Sequence, residues 1–249
     1  MMKIALTFDI ERDLPNVLDT YLGVSVGLPK VLEILDNFSL KGTFFCTGTV
    51  VKKFPDFIKV IANKGHEIAC HSLNHERLNK LSFNECQELI AHNKKIVEET
   101  CQNSEIIGFR APYLKPPRFL FAILHNLGFK YDSSVKSLNR VKFNKRNYYK
   151  IQEFTPLNIS LRFPIGNSIF KELILKKKTS VLYFHPLDAI DVKSLMLCEM
   201  SKFRRFKNYL IRPDRWINTG NSFIRRFENF IKEALFRSAE FVTVKQLIK

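Results

Sequence analysis

Apolar and polar positions alternate from Lys3 to Asp9, with Ile4, Leu6 and Phe8 on one side and Ala5, Thr7 and Asp9 on the other. A period of two predicts a strand, and Asp9 falls at its C-terminal end. Val31 to Leu35 has helical spacing, and Lys41 to Cys46 predicts a second strand after a turn at Gly42. A helix over Phe57 to Ala62, a short strand over Glu67 to Cys70 and a longer helix from Ser82 to Thr100 follow, the last capped by Ser82 with Glu85 three residues on. Further strands are expected at Ile106 to Phe109, around Phe129 to Asp132, at Leu161 to Pro164, at Val181 to His185 and at Phe241 to Thr243. No internal repeat or Gly/Ser linker breaks this alternation. It predicts one parallel α/β domain over residues 1–249, a TIM-like (β/α) barrel with polar residues gathered at the C-terminal ends of its strands.

Length and composition narrow the class. The chain has 249 residues, 45% of them hydrophobic, enough to fill a core, so disordered, collagen-like and low-complexity classes are excluded. Lys3 and Asp9 come too early to leave a signal peptide's apolar region, and no apolar run reaches the roughly 18 residues of a membrane span. A cytoplasmic protein, or one peripheral to the cytoplasmic face of a membrane, is expected. Cys46, Cys70, Cys86, Cys101 and Cys198 contain no C-x-x-C pair, which points to buried reduced thiols. Residues 1–131 hold 16 Lys and Arg against 14 Asp and Glu, whereas residues 132–249 hold 24 against 10. A charge confined in this way predicts a basic surface that meets an anion.

Candidate chemistry falls at the predicted strand ends. Asp9 and Glu11 flank Ile10, so both carboxylates point the same way if the strand persists through them. His71 and His75 lie four apart, the spacing that puts two imidazoles on one side of a helical turn. Two imidazoles and a carboxylate can form a metal site with open positions for water and substrate. His66 reads as structural, because it precedes the strand that leads to His71. His92 and His125 read as surface residues, and Cys70 as core.

The motifs occur in an order that resembles one family. Thr7-Phe8-Asp9-Ile10-Glu11, His71-Ser72-Leu73-Asn74-His75, Arg110-Ala111-Pro112-Tyr113, Tyr131-Asp132-Ser133-Ser134 and Leu182-Tyr183-Phe184-His185-Pro186 together look like the polysaccharide deacetylases of carbohydrate esterase family 4, the NodB-homology family. Lys41 to Phe45 and Gly65 to Ile68 resemble its framework segments. The likeness runs from Lys3 to His185 and returns at Phe241 to Leu247. It implies an irregular (β/α) barrel and hydrolysis of an amide with one divalent metal, most often zinc.

By that resemblance Glu11, His71 and His75 would hold the metal and Asp9 would act as general base. His185 would protonate the leaving amine, and the backbone near Tyr113 would stabilise the oxyanion. Arg110 resembles the arginine that holds the base, and Asp132 the aspartate that orients the acid histidine. One departure is plain: Ile10 stands where the commonest pattern has a second aspartate, so Glu11 is taken as the third ligand.

Residues 201–237 carry 10 Lys and Arg against 3 Asp and Glu, interleaved with Phe203, Phe206, Tyr209, Trp216, Phe223, Phe227 and Phe230. Such a segment is either a helix lying on an anionic membrane or an ordinary barrel helix with a basic exterior. No nucleic-acid motif is present, and no nucleic-acid partner is expected. The expected substrate is an N-acetylated or N-formylated amino sugar, as a polyprenyl-phosphate-linked or other envelope-glycan precursor at the cytoplasmic membrane face. The alternatives are a soluble amide or cyclic imide, as in allantoinase-like branches, and a catalytically inactive sugar-binding relative.

Overall fold

Ile4, Leu6, Phe8 and Ile10 share strand β1 (Lys3–Ile10) with Ala5, Thr7 and Asp9, and both faces of the strand are buried from Ile4 onward. Double-sided burial belongs to parallel sheets, whose second face is covered as well. A computed structural model describes residues 2–14, 18–102, 104–134, 152–154, 156–157, 167–198 and 216–248. Among these residues the other strands are β2 (Thr43–Cys46), β3 (Glu67–Cys70), β4 (Gly108–Phe109), β5 (Tyr131–Asp132), β6 (Gln152–Glu153), β7 (Pro156–Leu157), β8 (Thr179–Phe184) and β9 (Glu240–Phe241). All pairings are parallel, in the order β6-β5-β4-β3-β2-β1-β8-β7. β2 flanks only the last part of β1, from Thr7↔Thr43, so β9 takes the vacant edge at Lys3 and Ile4. The result is a curled, barrel-like sheet.

Helices α1 (Leu28–Asn37), α2 (Gly48–Lys53), α3 (Pro55–Asn63), α4 (Phe83–Thr100), α5 (Leu120–Asn126), α6 (Asn167–Leu175), α7 (Val192–Cys198) and α8 (Asn221–Phe236) accompany it. Pro at the first turn opens α1 and α3, where its missing N–H has no intrahelical partner to lose. The Ser82–Glu85 capping box opens α4, with Ser82 N–H donating to Glu85 Oε2 at 2.8 Å.

Two cores result from the strand alternation. Outside the sheet, Phe8 stacks on Phe44 (5.0 Å between centroids), and Phe184 meets Phe227 of α8 at the same separation. Inside, the small Ala5 and Ala69 leave room for Phe45, Tyr131, Val181 and Val244. The C-terminal segment closes the lower end of this interior. Val244 N–H donates to Thr43 Oγ1 and Lys245 N–H to Glu67 Oε2, both at 2.9 Å, while Tyr131 and Thr43 hydroxyls also donate to Glu67. Chemistry is left to the opposite end, where the strands finish.

Several sequence expectations are corrected. Strand β8 begins at Thr179 and ends at Phe184, so His185 lies just beyond it. Phe223, Phe227 and Phe230 are fully buried in the outer core, which makes the described part of the basic segment a barrel helix on its aromatic side. The expected strand at Leu161 to Pro164, residues 201–215 and the Cys198 side chain lie outside the described residues. Cys46, Cys70, Cys86 and Cys101 are buried free thiols. Among the described residues no helix is long and apolar enough to cross a membrane.

Candidate metal centre and active site

Each motif residue sits at or just past a strand end: Asp9 near the end of β1 and Glu11 just after it, His71 after β3, Arg110 after β4, Asp132 at the end of β5 and His185 after β8. This is the edge of a (β/α) barrel at which loops from many strands converge. Arg110 is completely buried and organises the floor. Its Nη1 donates to Asp9 Oδ1 at 2.6 Å, Nη2 to Thr7 Oγ1 (2.9 Å) and Ser133 Oγ (3.0 Å), and Nε to Ser133 O (3.1 Å). The guanidinium also lies 4.0 Å from the centre of the Phe45 ring. With Oδ1 held this way, Asp9 keeps Oδ2 toward His71, 3.9 Å from Nε2.

Glu11, His71 and His75 converge beside Asp9. Their nearest ligand atoms lie within 4.8 Å of one another. Glu11 Oε2 is 3.3 Å from His71 Nε2 and 2.6 Å from His75 Nε2. His71 Nδ1 lies 2.8 Å from Arg110 O, an atom that can only accept, so Nδ1 carries a proton and His71, in its neutral form, presents a lone pair at Nε2. Both His71 Nε2 and Glu11 Oε2 are buried without a hydrogen-bond partner. Two facing electron-pair donors in a buried site fit a cation between them, and the His/His/carboxylate set is a donor set that zinc takes in catalytic sites. Burial pushes the Glu11 carboxyl up, but the imidazoles of His71, His75 and His185 outweigh it and hold the group well below the usual range. For His71 burial works downward, and the Asp9 and Glu11 carboxylates overcome it to raise the imidazole.

The His71–His75 spacing works differently from the helical turn expected from sequence. The segment is a loop in which Ser72 (φ 65°) and His75 (φ 57°) take left-handed backbone. Its shape is fixed by Ser72 Oγ and Asn74 N–H donating to the Glu76 carboxylate, and by Thr49 Oγ1 donating to Leu73 O at 2.9 Å. Asn93, buried on α4, ties the loop to the sheet: its Oδ1 accepts from His71 N–H (3.2 Å) and its Nδ2 donates to Cys46 O (3.3 Å). Nothing in the sequence marks Asn93, since it lies in a helix among His92, Lys94 and Lys95. Asp13 was also unmarked; it accepts from Gly23 N–H and Thr20 Oγ1 and folds the loop after β1 back on itself. A Cβ at Gly23 would lie 2.5 Å from Asp13 Oδ1, so a larger residue there would displace the carboxylate that holds this loop.

The remaining site residues form the rim. Tyr113 (φ 60°) is 40% exposed and packs against His75 with the rings tilted and their centroids 4.4 Å apart, while Arg77 covers its ring at 4.3 Å. His185 Nε2 stands 3.7 Å from Glu11 Oε1 at the mouth. Asp132 does not reach His185 as the resemblance suggested. Its carboxylate accepts from the N–H and hydroxyl of Ser134, and burial pushes it up to about 7. Ser134 Oγ in turn accepts from Ala111 N–H at 2.7 Å, so Asp132 supports the Arg110–Tyr113 turn from below. His66 is structural: its Nδ1 accepts from Gly42 N–H at 3.1 Å.

Comparison with known proteins bears on the family and the fold. The sequence model of the polysaccharide deacetylase family matches residues 2–131. The chain is 32% identical over 115 residues to a peptidoglycan-N-acetylglucosamine deacetylase of Bacillus cereus, covering 46% of this chain and 36% of that protein. It is 36% identical over 95 residues to the peptidoglycan-N-acetylmuramic acid deacetylase PdaA of Bacillus subtilis, covering 38% and 34%. The chain thus matches about a third of the length of these curated relatives. Its fold superposes on the Xyl-CE4 domain of a multidomain xylanase from the hindgut metagenome of Trinervitermes trinervoides with a TM-score of 0.59 at 16% identity, over 99% of this chain and 89% of that one.

Proposed function

Because the chain belongs to the polysaccharide deacetylase family, we propose that it is a metal-dependent amide hydrolase that removes an N-acyl group, acetyl or formyl, from an amino sugar of an envelope glycan. The observation that carries this reading is the pair of orphaned atoms, His71 Nε2 and Glu11 Oε2, beside an Asp9 anchored by a buried arginine. Glu11, His71 and His75 would hold a divalent cation, most simply zinc, which would supply Lewis-acid chemistry toward the amide carbonyl and water.

The protein's own groups then divide the proton work. Asp9 takes a proton from the attacking water with Oδ2, because Arg110 occupies Oδ1 and fixes the carboxylate plane. Glu11 engages the imidazoles with both oxygens and serves as ligand rather than base. His185, at the mouth, delivers a proton to the departing amine, which an amide needs because an amine anion leaves poorly. Tyr113 walls the site over His75, where its turn faces the carbonyl oxygen.

The finer substrate reading is a glycan precursor carried on polyprenyl phosphate at the cytoplasmic membrane face. It is supported by the charge of residues 132–249 and by α8, whose outer side exposes Arg225, Lys232 and Phe236. Relatives that are named for peptidoglycan N-acetylglucosamine and N-acetylmuramic acid support an N-acetylated amino sugar as the acyl donor. The test is mass spectrometry of N-acetylglucosamine oligomers, peptidoglycan fragments and a lipid-linked amino sugar incubated with the zinc-loaded protein. Loss of the acyl group that stops with chelator supports the reading. Binding without acyl loss on any of them overturns it.

A further inference from the structure

A cleft of about 200 Å³ beside His75 is lined by Arg12, Tyr21, Thr47 and Tyr113, and at Thr49 and Asn74 it adjoins a wider cavity of about 440 Å³ that is open to the surface. The wider cavity is walled by Lys52 and Lys53, the last residues of α2, and by Leu73. Its charge is uncompensated. Arg12 is paired with Asp19 at 2.6 Å, whereas among the described residues no carboxylate pairs with Lys52 or Lys53. Lys64, Lys94 and Lys171, by contrast, each have a carboxylate partner. The two ammonium groups are also placed. Lys53 Nζ lies 4.2 Å over the Tyr21 ring, and Lys52 Nζ is 3.4 Å from His92 Nε2. The Asn74 carboxamide, 3.0 Å from Thr49 Oγ1, stands exposed where the cleft and the wider cavity meet.

We propose that this cavity is a subsite for an anionic substituent, a carboxylate or phosphate, on the sugar or on the unit next to the one deacylated at Glu11, His71 and His75. The lysines supply the charge, Asn74 a directional donor and Leu73 an apolar surface for ring carbons. The proposal rests on the amide-hydrolase reading for which bond is cut, but not for what the lysines bind.

The test compares wild type with the double variant Lys52→Gln/Lys53→Gln on three probes: a neutral N-acetylglucosamine oligomer, the same oligomer with a lactyl ether carboxylate, and the same oligomer with a phosphate monoester. Equilibrium binding is measured calorimetrically on the zinc-loaded proteins, and acetate release is measured separately. Wild type is expected to bind a charged oligomer about tenfold more tightly than the neutral one, which corresponds to about 1.4 kcal/mol. The double variant should lose that preference and bind the neutral oligomer unchanged, which also shows that it is folded. Preference for the carboxylate or for the phosphate names the source of the anion. Equal binding of all three by wild type, or a double variant that weakens the neutral oligomer equally, overturns the proposal. Absent acetate release from every probe would refute the hydrolase reading while leaving the binding comparison intact.

Discussion

Removing Arg110 should expose how much the floor of the site depends on one buried ion pair. The guanidinium is fully buried and meets Asp9 Oδ1 at 2.6 Å, with Asp9 itself only 4% exposed. Arg110→Met keeps the length of the side chain but leaves the Asp9 carboxylate without its cation, and breaking one side of a buried pair costs about 3–5 kcal/mol. Asp9→Asn removes the other charge and leaves Arg110 uncompensated at a similar cost. In the double variant neither charge remains. Urea unfolding of the four proteins therefore should give a coupling of about 2–3 kcal/mol, so that the double variant is markedly more stable than the two single losses would add up to. The three hydrogen bonds from Arg110 to Thr7 and Ser133 are lost equally in both backgrounds and cancel in the cycle. Single losses that add within about 0.5 kcal/mol would refute the claim that Arg110 acts by neutralising Asp9.

Other substitutions separate roles within the site. Asp9→Asn should retain zinc and lose nearly all turnover, whereas Glu11→Gln should weaken zinc binding itself; dialysis followed by metal analysis, run beside an acetate assay, distinguishes them. Asn93→Ala leaves His71 N–H and Cys46 O without their buried partner, so stability should fall by about 2 kcal/mol in urea unfolding. His66 is held down to about 4 by burial, with the Lys41 charge adding to it, against 6.5 when exposed. The unfolded chain therefore binds a proton that the folded one refuses, and stability should decline by about 3 kcal/mol as pH falls from 6.5 to 4. His66→Gln, which can still accept from Gly42 N–H, should flatten that part of the pH–stability curve.

What could be seen in the sequence follows from the range of the interaction that encodes it. The alternation in Lys3 to Asp9 and the capping box at Ser82 are local, and both elements formed where expected. The five motifs marked Asp9, Glu11, His71, His75, Arg110 and His185, and the structure gathers these at one end of the sheet. Two-residue strands such as β6 and β7 carry no periodicity and exist only because a neighbour pairs with them. The His71–His75 loop imitates helical spacing, yet its left-handed residues are dictated by Glu76 and Asn93. Asp132 was matched to a partner by resemblance, and only the fold reveals that Ser134 takes its oxygens. Lys52 and Lys53 resemble any exposed pair until the cavity they wall, next to the cleft beside His75, is seen.

Zinc titration by isothermal calorimetry, on the chelator-stripped wild type and on His71→Ala/His75→Ala, decides whether Glu11, His71 and His75 form a metal centre. Wild type should bind one equivalent tightly, and the double variant, with unchanged circular dichroism, should bind none at that affinity. One tight equivalent retained by the folded double variant would contradict the assignment.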